Sequence, residues 1–154
     1  LELGQTSTPT PTVSVDSATA TGDLDPDTPQ QKLDGITERS PWYENADNPW
    51  GRPILPLEMI SVLSQKVGTD FTVRGPSGGL CLDLEVRLVD GPVFVGQDYL
   101  REREVVGLGQ SRRTESSWVR TTITDAESGA HAASVLLHSG VFKESYADYP
   151  SDRL

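Results

Sequence analysis

One stretch of the chain alternates apolar and polar residues without a break. Between Leu80 and Leu88 every even-numbered residue is Leu or Val, and most odd-numbered residues are charged. This period of two predicts a β-strand with one buried and one solvated face. Less regular segments predict three further strands, at about 99–108, 111–124 and 130–143. Because short turns join the segments, we expect an antiparallel sheet.

A different pattern precedes the strands. A helix is predicted to begin after Pro56 and to end before Gly68. Its apolar residues point in nearly all directions, which is typical of a helix buried on most sides. They are Leu57, Met59, Ile60, Val62, Leu63 and Val67. One buried helix followed by strands predicts an α+β fold in which a curved sheet wraps around the helix. Gly107 and Gly109 predict a bulge or a sharp bend in that sheet.

The first 35 residues are polar and rich in Thr, Ser, Pro and Asp. We expect residues 1–35 to form an extended, partly ordered arm that packs on the domain. Val13 and Val15 alternate as in a short strand. Thr28, followed by proline, is predicted to cap a helix of one or two turns that ends at Gly35. The segments that follow the arm are a domain, residues 36–145, and a C-terminal tail, residues 146–154.

Composition narrows the possible functions. The 154 residues carry a formal net charge of −10, which disfavours nucleic-acid binding because phosphate contacts need a basic surface. The sequence has no long apolar run, so we expect no membrane-spanning helix. Cys81 is the single cysteine, which excludes a disulfide within the chain and indicates a cytoplasmic protein. His131 and His138 are predicted to face opposite sides of a regular strand, and we expect neither a metal nor a cofactor.

Residues 36–50 are the most chemically varied segment. Trp42 and Trp50 lie here beside Tyr43 and Asp47. Two prolines interrupt regular hydrogen bonding, so the segment is predicted to be a loop. Aromatic and acidic residues in a loop beside a buried helix are typical of a binding site. The alternative is that the two indoles only cap the core.

Three motifs occur in a consistent order along the chain. They are Leu3-Gly4-Gln5 with Val13-Ser14-Val15, then Gly-Arg-Pro-Ile-Leu-Pro at 51–56, then Gly-Pro-Val-Phe-Val-Gly-Gln at 91–97. The second is similar to the run that enters the central helix of bacterial β-hydroxyacyl-thioester dehydratases. The other two resemble the N-terminal strand and the "Pro, aliphatics, Gly-Asp" turn of MaoC-like hydratases. Over most of its length the chain thus resembles the hotdog-fold superfamily.

This resemblance implies a single hotdog fold and a homodimer whose site lies between protomers. It also implies a lyase or isomerase of the dehydratase-like or cyclase-like type. The implied substrate is an acyl thioester or a polyketide-like specialised metabolite, either as a small molecule or bound to a carrier. The usual catalytic residues are replaced. At the position of the dehydratases' histidine this chain has Asn48 or Asp47. At the position of their glutamate it has Val62. The MaoC-like Asp-x-Asn-Pro-aliphatic-His motif matches best at 38–43, with Glu38 for the aspartate and Tyr43 for the histidine.

Dehydration of a 3-hydroxyacyl thioester needs a base, an acid and donors for the thioester oxygen. Asp47 is the predicted base because it lies close to the helix entrance, where the indoles would desolvate it. Tyr43 is the predicted acid and Glu38 a second base. Asp47 is explained equally well as a turn residue before Asn-Pro. The predicted substrate contacts are Trp42, Asn48, Trp50, Leu57 and Glu58, with the backbone N–H groups near Leu57 and Glu58 as oxygen donors.

Two other functions fit the same sequence. In an acyl thioesterase, Glu58 or Asp47 would activate water, and in a non-catalytic acyl-binding or scaffold module the apolar site would remain without the chemistry.

Arginines of the predicted sheet, Arg112, Arg113 and Arg120, are candidates for holding a carboxylate or a phosphate. The competing interpretation pairs them across strands with Glu102 or Glu104.

Overall fold

The computed structural model describes residues 1–12, 27–37, 39–64, 71 and 79–146. Its strands are β1 (Thr10–Pro11), β2 (Leu80–Leu88), β3 (Tyr99–Gln110), β4 (Thr114–Asp125) and β5 (His131–Phe142). Its helices are α1 (Pro29–Gly35), α2 (Leu57–Ser64) and two short 3-10 helices at Pro41–Tyr43 and Lys143–Ser145. The strands form one antiparallel sheet in the order β1-β3-β4-β5-β2, which confirms the predicted α+β class. Val13, Val15, Glu38, Val67, Gly68 and most of the predicted tail lie outside the described residues.

The core lies between α2 and one face of the sheet. Met59 and Ile60 of α2 are each 1% exposed, and they belong to one apolar cluster with Ile123 of β4 and Val135 of β5. Burying a side chain of this size stabilises a fold by about 1.5–3 kcal/mol. The helix is therefore the centre of the core, as predicted. Its first turn is an exception, because Leu57 is 54% exposed.

β2 differs from the prediction in its burial. The strand occupies the predicted residues, but Leu84 and Leu88 are exposed as well as the charged side chains between them, and only Val86 is half-buried. The expectation of one buried face is wrong. β2 is the last strand of the sheet and pairs only with β5 in the part of the chain that the structure describes. Leu84 and Leu88 on the core face of this edge strand are therefore left accessible to solvent.

The glycines in β3 make room for a tryptophan. The register of β3 against β4 shifts between Val105 and Gly107, which confirms the predicted bulge. A Cβ atom at Gly107 would lie 3.0 Å from the Trp118 ring, and one at Gly109 would lie 3.2 Å from it. On its other side the Trp118 ring stacks on His138, with centroids 4.0 Å apart. A side chain at either position would push the ring toward His138, so both positions favour glycine.

Two polar segments are ordered as the sequence indicates. In α1, Thr28 and Gln31 form a capping box, in which each side chain accepts a hydrogen bond from the other residue's backbone N–H. Residues 1–12 lie along the edge of β3, where the N–H groups of Gly4 and Ser7 donate to the carbonyls of Val105 and Arg103 at 2.8 Å. This edge of β3 is therefore covered. No helix among the described residues is long and apolar enough to cross a bilayer.

We predict that the turn between β4 and β5 loses stability in acid. The N–H of Ser128 donates to Asp125 at 2.7 Å and, with further donors from Ser128 and Glu127, lowers the pKa of the Asp125 carboxyl. A carboxyl with a lowered native pKa contributes stability above its unfolded pKa and loses that contribution as the pH falls through the native pKa. Asp125→Ala should thus lower the melting temperature modestly at pH 7, and the deficit should shrink on acidification.

Thermal unfolding of both proteins across the acidic range measures this difference. Glu127→Gln is the matched control, because that side chain lies on the same exposed turn and its carboxylate does not hold the turn. A deficit for Asp125→Ala that is independent of pH would contradict the prediction.

Candidate functional site

A cavity of about 460 Å³ lies at the N-terminal end of α2. It is bounded by α1, by the 3-10 helix and by the chain that enters α2. The lining is mostly apolar, with an amide, a phenol and a carboxylate as its polar groups. The residues that line it are Gln30, Leu33, Tyr43, Glu44, Pro53, Ile54, Leu55, Pro56, Met59 and Val95. An apolar cavity with a few convergent polar groups is the usual form of a small-molecule site.

Two of the sequence motifs form one wall of this cavity. The N–H of Leu55 donates to the carbonyl of Val93 at 2.7 Å, and the N–H of Val95 donates to the carbonyl of Pro53 at 3.0 Å. The runs at 51–56 and 91–97 are thus joined as a short antiparallel ladder. They are far apart in sequence, and their pairing fixes the direction in which the chain enters α2.

Tyr99 supports this wall from the core. Its side chain is 2% exposed, and its hydroxyl accepts a hydrogen bond from the N–H of Phe94 at 2.9 Å. Burial raises the pKa of the Tyr99 phenol, so the group stays neutral. On the outer side, the Arg52 guanidinium lies 4.6 Å from the centre of the Phe94 ring. The wall is therefore held from both sides.

Tyr43 and Glu44 bring the chemistry of the loop to the cavity. Ser40 caps the short 3-10 helix, its hydroxyl accepting from the N–H of Trp42, and Pro41 occupies the first turn. Tyr43 ends that helix and Glu44 follows it, with its N–H donating to the carbonyl of Pro41 at 3.2 Å. Both residues line the cavity. The sequence analysis missed Glu44, although Ser40-Pro41 is a helix-start signal that predicts a turn at this position.

The other predicted residues of the loop lie outside the cavity lining. Asp47 is exposed. Asn48 builds the turn instead: its amide donates to the carbonyl of Arg52 at 2.7 Å, and its oxygen accepts from the N–H of Trp50. Trp42 and Trp50 contact each other edge to face, with ring centroids 5.7 Å apart, and they are 39% and 44% exposed. Among the described loop residues that the sequence analysis selected, Tyr43 alone is part of the cavity lining.

Leu57 and Glu58 lie on the first turn of α2, next to the cavity but not in its lining. The Glu58 carboxylate is 2.9 Å from Nζ of Lys32, so this ion pair joins α1 to α2. Pro56 and Met59, on either side of Leu57 and Glu58 in sequence, both line the cavity. The start of α2 therefore borders the cavity.

Of the remaining candidates, Arg112 and Arg113 lie in the turn between β3 and β4, so their predicted place on a strand is wrong, and the others lie on the sheet. Arg120 is opposite Glu104 in the register, and their side chains form an ion pair at 3.7 Å, as the cross-strand interpretation predicted. His131 and His138 pair with Thr124 and Trp118, which share one face of β4, so the prediction of opposite faces is wrong. A register shift near His131 is the cause. Within the described ranges, no group of His, Cys, Asp and Glu side chains could hold a metal ion.

Comparison with known proteins gives structural relatives only. No protein-family model matches the sequence, and no curated protein matches it. The HadBC (3R)-hydroxyacyl-ACP dehydratase complex from Mycobacterium tuberculosis superposes with a TM-score of 0.71 at 14% identity, over 90% of this chain and 96% of that one.

Two further solved structures agree with this result. The MaoC-like dehydratase from Rhodospirillum rubrum gives a TM-score of 0.66 at 11% identity, over 92% of this chain and 93% of that one. The (R)-hydratase from A. caviae gives 0.60 at 19% identity, over 90% and 96%. Identities this low establish the fold and not the activity. The chain has the hotdog fold, in which an antiparallel sheet packs around one central helix.

Proposed function

We propose that the protein is a dehydratase-like enzyme whose cavity at the start of α2 binds an acyl thioester. The observation that carries the proposal is the lining of this cavity, in which Tyr43, Glu44 and the amide of Gln30 meet an otherwise apolar wall. The apolar wall suits an acyl chain, and Tyr43 and Glu44 supply an acid and a base. The solved structures with this fold include a dehydratase complex and a hydratase.

In the proposed reaction the carboxylate of Glu44 removes the α-proton of a 3-hydroxyacyl thioester. The phenol of Tyr43 protonates the departing hydroxyl, so that a C–H and a C–O bond break, a C=C bond forms and water leaves. The N–H groups at the start of α2, near Leu57 and Glu58, stabilise the charge that develops on the thioester oxygen. Double-bond movement or cyclisation of a polyketide-like substrate would use the same groups.

Asp47 and Glu38 remain the bases predicted from the sequence. Both carboxylates are exposed, and we favour Glu44 because it lines the cavity, whereas Asp47 does not. The predicted contacts of Trp42, Asn48 and Trp50 with the substrate would require the ligand to extend beyond the cavity and over the loop.

The alternative is an acyl thioesterase. In favour of it, the carboxylate of Glu58 lies on the first turn of α2, where it could activate water. Against it, this carboxylate is bound to Lys32 at 2.9 Å. The third possibility, a non-catalytic acyl-binding module, is favoured by the absence of histidine from the described lining of the cavity.

One assay separates the three functions. The protein is incubated with 3-hydroxybutyryl-CoA, and the C=C bond of the product is followed by ultraviolet absorbance while free thiol is titrated in the same sample. The proposed function predicts that absorbance rises without release of thiol, and that crotonyl-CoA is hydrated in the reverse direction. Release of thiol would favour the thioesterase. Binding without either product, for these and for longer acyl chains, would favour the binding module.

We also propose that the protein is a homodimer that forms through β2. Residues 1–12 cover the edge of β3, whereas β2 is unpaired on one side in the sheet that the structure describes. A free strand edge with exposed apolar side chains is a ready surface for pairing with another chain.

The single cysteine also agrees with the predicted cytoplasmic location.

A further inference from the structure

An ion pair between α1 and α2 lies beside the cavity. Nζ of Lys32 is 2.9 Å from Oε1 of Glu58, and the two side chains are 18% and 55% exposed. We propose that Lys32 is a positioning residue for the reaction, because it neutralises a carboxylate that would otherwise repel the negative charge developing on the substrate. This inference rests on the function proposed above and adds a residue that acts through Glu58 rather than on the substrate.

The place of Glu58 makes its charge unfavourable for that reaction. Glu58 is the second residue of α2, and Pro56 and Met59, on either side of it in sequence, line the cavity. Because the Cα–Cβ bonds of a helix tilt toward its N-terminus, the carboxylate leans toward the end of α2 at which the cavity lies. Removal of the α-proton by Glu44 leaves a negative charge on the thioester, and a like charge nearby raises the energy of that state. An unpaired Glu58 would therefore oppose the proposed step.

The helix itself favours an acid at this position. A carboxylate in the first turn of a helix interacts favourably with the unpaired backbone N–H groups there, and Glu58 is the acid of the first turn of α2. The charge that stabilises the helix thus acts against an anion in the cavity. A cation bound to the carboxylate removes the second effect and leaves the acid in place.

α1 brings the lysine to this point. The capping box of Thr28 and Gln31 begins the helix, and Gln30 and Leu33 of the same helix line the cavity. The Lys32 side chain is mostly covered, so water screens its charge less than that of an exposed lysine. Ion pairs with an exposed partner contribute little to stability, so we expect the pair to affect the reaction more than the fold.

A cycle of three variants tests the proposal in the full chain. Lys32→Met keeps an unbranched side chain without the ammonium, Glu58→Gln removes the carboxylate, and K32M/E58Q removes both. With 3-hydroxybutyryl-CoA we expect Lys32→Met to lower kcat about tenfold at nearly unchanged KM, the order of magnitude for one unbalanced charge at a partly exposed site. Glu58→Gln should raise kcat, because the repelling carboxylate is gone and the ammonium remains. K32M/E58Q should return kcat to within about threefold of the original value.

The double variant separates charge from mechanical support. If Lys32 only tied α1 to α2, loss of either partner would break the tie. Glu58→Gln would then lower kcat as much as Lys32→Met, and the double variant would be no better. That result would overturn the proposal and leave the proposed function intact. An effect of Lys32→Met on KM alone would also overturn it, since Lys32 would then bind the substrate itself.

A second ion pair of α1 provides the matched control. Nη2 of Arg39 is 3.3 Å from Oδ1 of Asp34, the side chains are 63% and 57% exposed, and neither residue lines the cavity. Arg39→Met therefore removes one positive charge from the same region and should leave kcat unchanged. Melting temperatures of the variants should fall by no more than about 4 °C, as for other pairs with an exposed partner. An equal fall in kcat for Arg39→Met would contradict the proposal.

A binding measurement tests the charge without turnover. Crotonate carries a negative charge on a short apolar chain, and crotonamide is a neutral molecule of nearly the same shape. In nuclear magnetic resonance titrations we expect Lys32→Met to weaken binding of crotonate about tenfold more than binding of crotonamide, and K32M/E58Q to restore it. Equal changes for the two probes, or no binding of crotonate to the unmodified protein, would overturn the proposal. If the charge dependence is found but no thioester is converted, the function proposed above fails and the neutralisation of Glu58 by Lys32 remains.

Discussion

Glu44→Gln is expected to lower kcat for dehydration of a 3-hydroxyacyl thioester by about 10²–10⁴, the range for loss of a general base. The amide keeps the size of the side chain but cannot accept the α-proton. Because Glu44 is exposed and follows a 3-10 helix without buried residues, the melting temperature should be unchanged. KM should change little, since the substitution removes an interaction that matters in the transition state.

Two companion variants sharpen this experiment. Tyr43→Phe removes the proposed acid and should also lower kcat, whereas Asp47→Asn tests the base predicted from the sequence. We expect the loss for Asp47→Asn to be far smaller, because Asp47 lies outside the cavity lining. If Asp47→Asn abolished turnover and Glu44→Gln did not, the base would be Asp47 and the bound substrate would have to reach across the loop.

Met59→Ala is expected to destabilise the protein by about 2–5 kcal/mol, which is the usual cost of truncating a buried methionine. Met59 is 1% exposed and packs in the cluster that joins α2 to the sheet. For a chain of this length each kcal/mol corresponds to about 2–4 °C in melting temperature. Denaturant titration measures the free energy directly. The cost should be smaller if the enlarged cavity is filled by a ligand.

Leu57→Ala is the matched control. Leu57 lies on the same helix, two residues earlier, but is 54% exposed, so its truncation should change stability by no more than about 0.5 kcal/mol. An equal loss of stability for both variants would mean that α2 does not bury the face that the structure shows. Since Met59 also lines the cavity, Met59→Ala should in addition improve turnover of longer acyl chains relative to short ones.

The spacing of apolar residues in the sequence predicted where the helix and strands lie more accurately than it predicted which of their faces are buried. Alternation identified β2, and the all-round apolar pattern identified α2, because both patterns reflect the backbone geometry of the element itself. Whether a face is covered depends on what lies above it. Leu84 and Leu88 follow the pattern of a buried face and yet are exposed, since β2 is the outer strand. No local pattern records the position of a strand within its sheet.

The lining of the cavity was predicted less well than the fold for a related reason. Sequence reasoning selected the loop by its residue types, and within it Trp42, Tyr43, Asp47 and Trp50. Of these Tyr43 lines the cavity, together with Glu44, which the sequence analysis missed and which follows the 3-10 turn after Ser40. The residues of this loop that line the cavity are set by a turn of three residues, which the order Ser40-Pro41 signals and the overall composition of the loop does not.

The unequal edges of the sheet have a consequence for assembly size. The first twelve residues occupy the β3 side, as the hydrogen bonds of Gly4 and Ser7 show. The edge strand there, β1, has only two residues and ends in a proline without an N–H group, so in the described sheet β2 presents the longer free edge. A molecule whose sheet has a free strand edge at both sides can add copies indefinitely and polymerise. A molecule with one free edge can only form a closed pair. If the protein pairs through β2 as proposed, removal of residues 1–12 would leave a second free strand edge at β3, and we expect the truncated protein to form larger assemblies than the full chain.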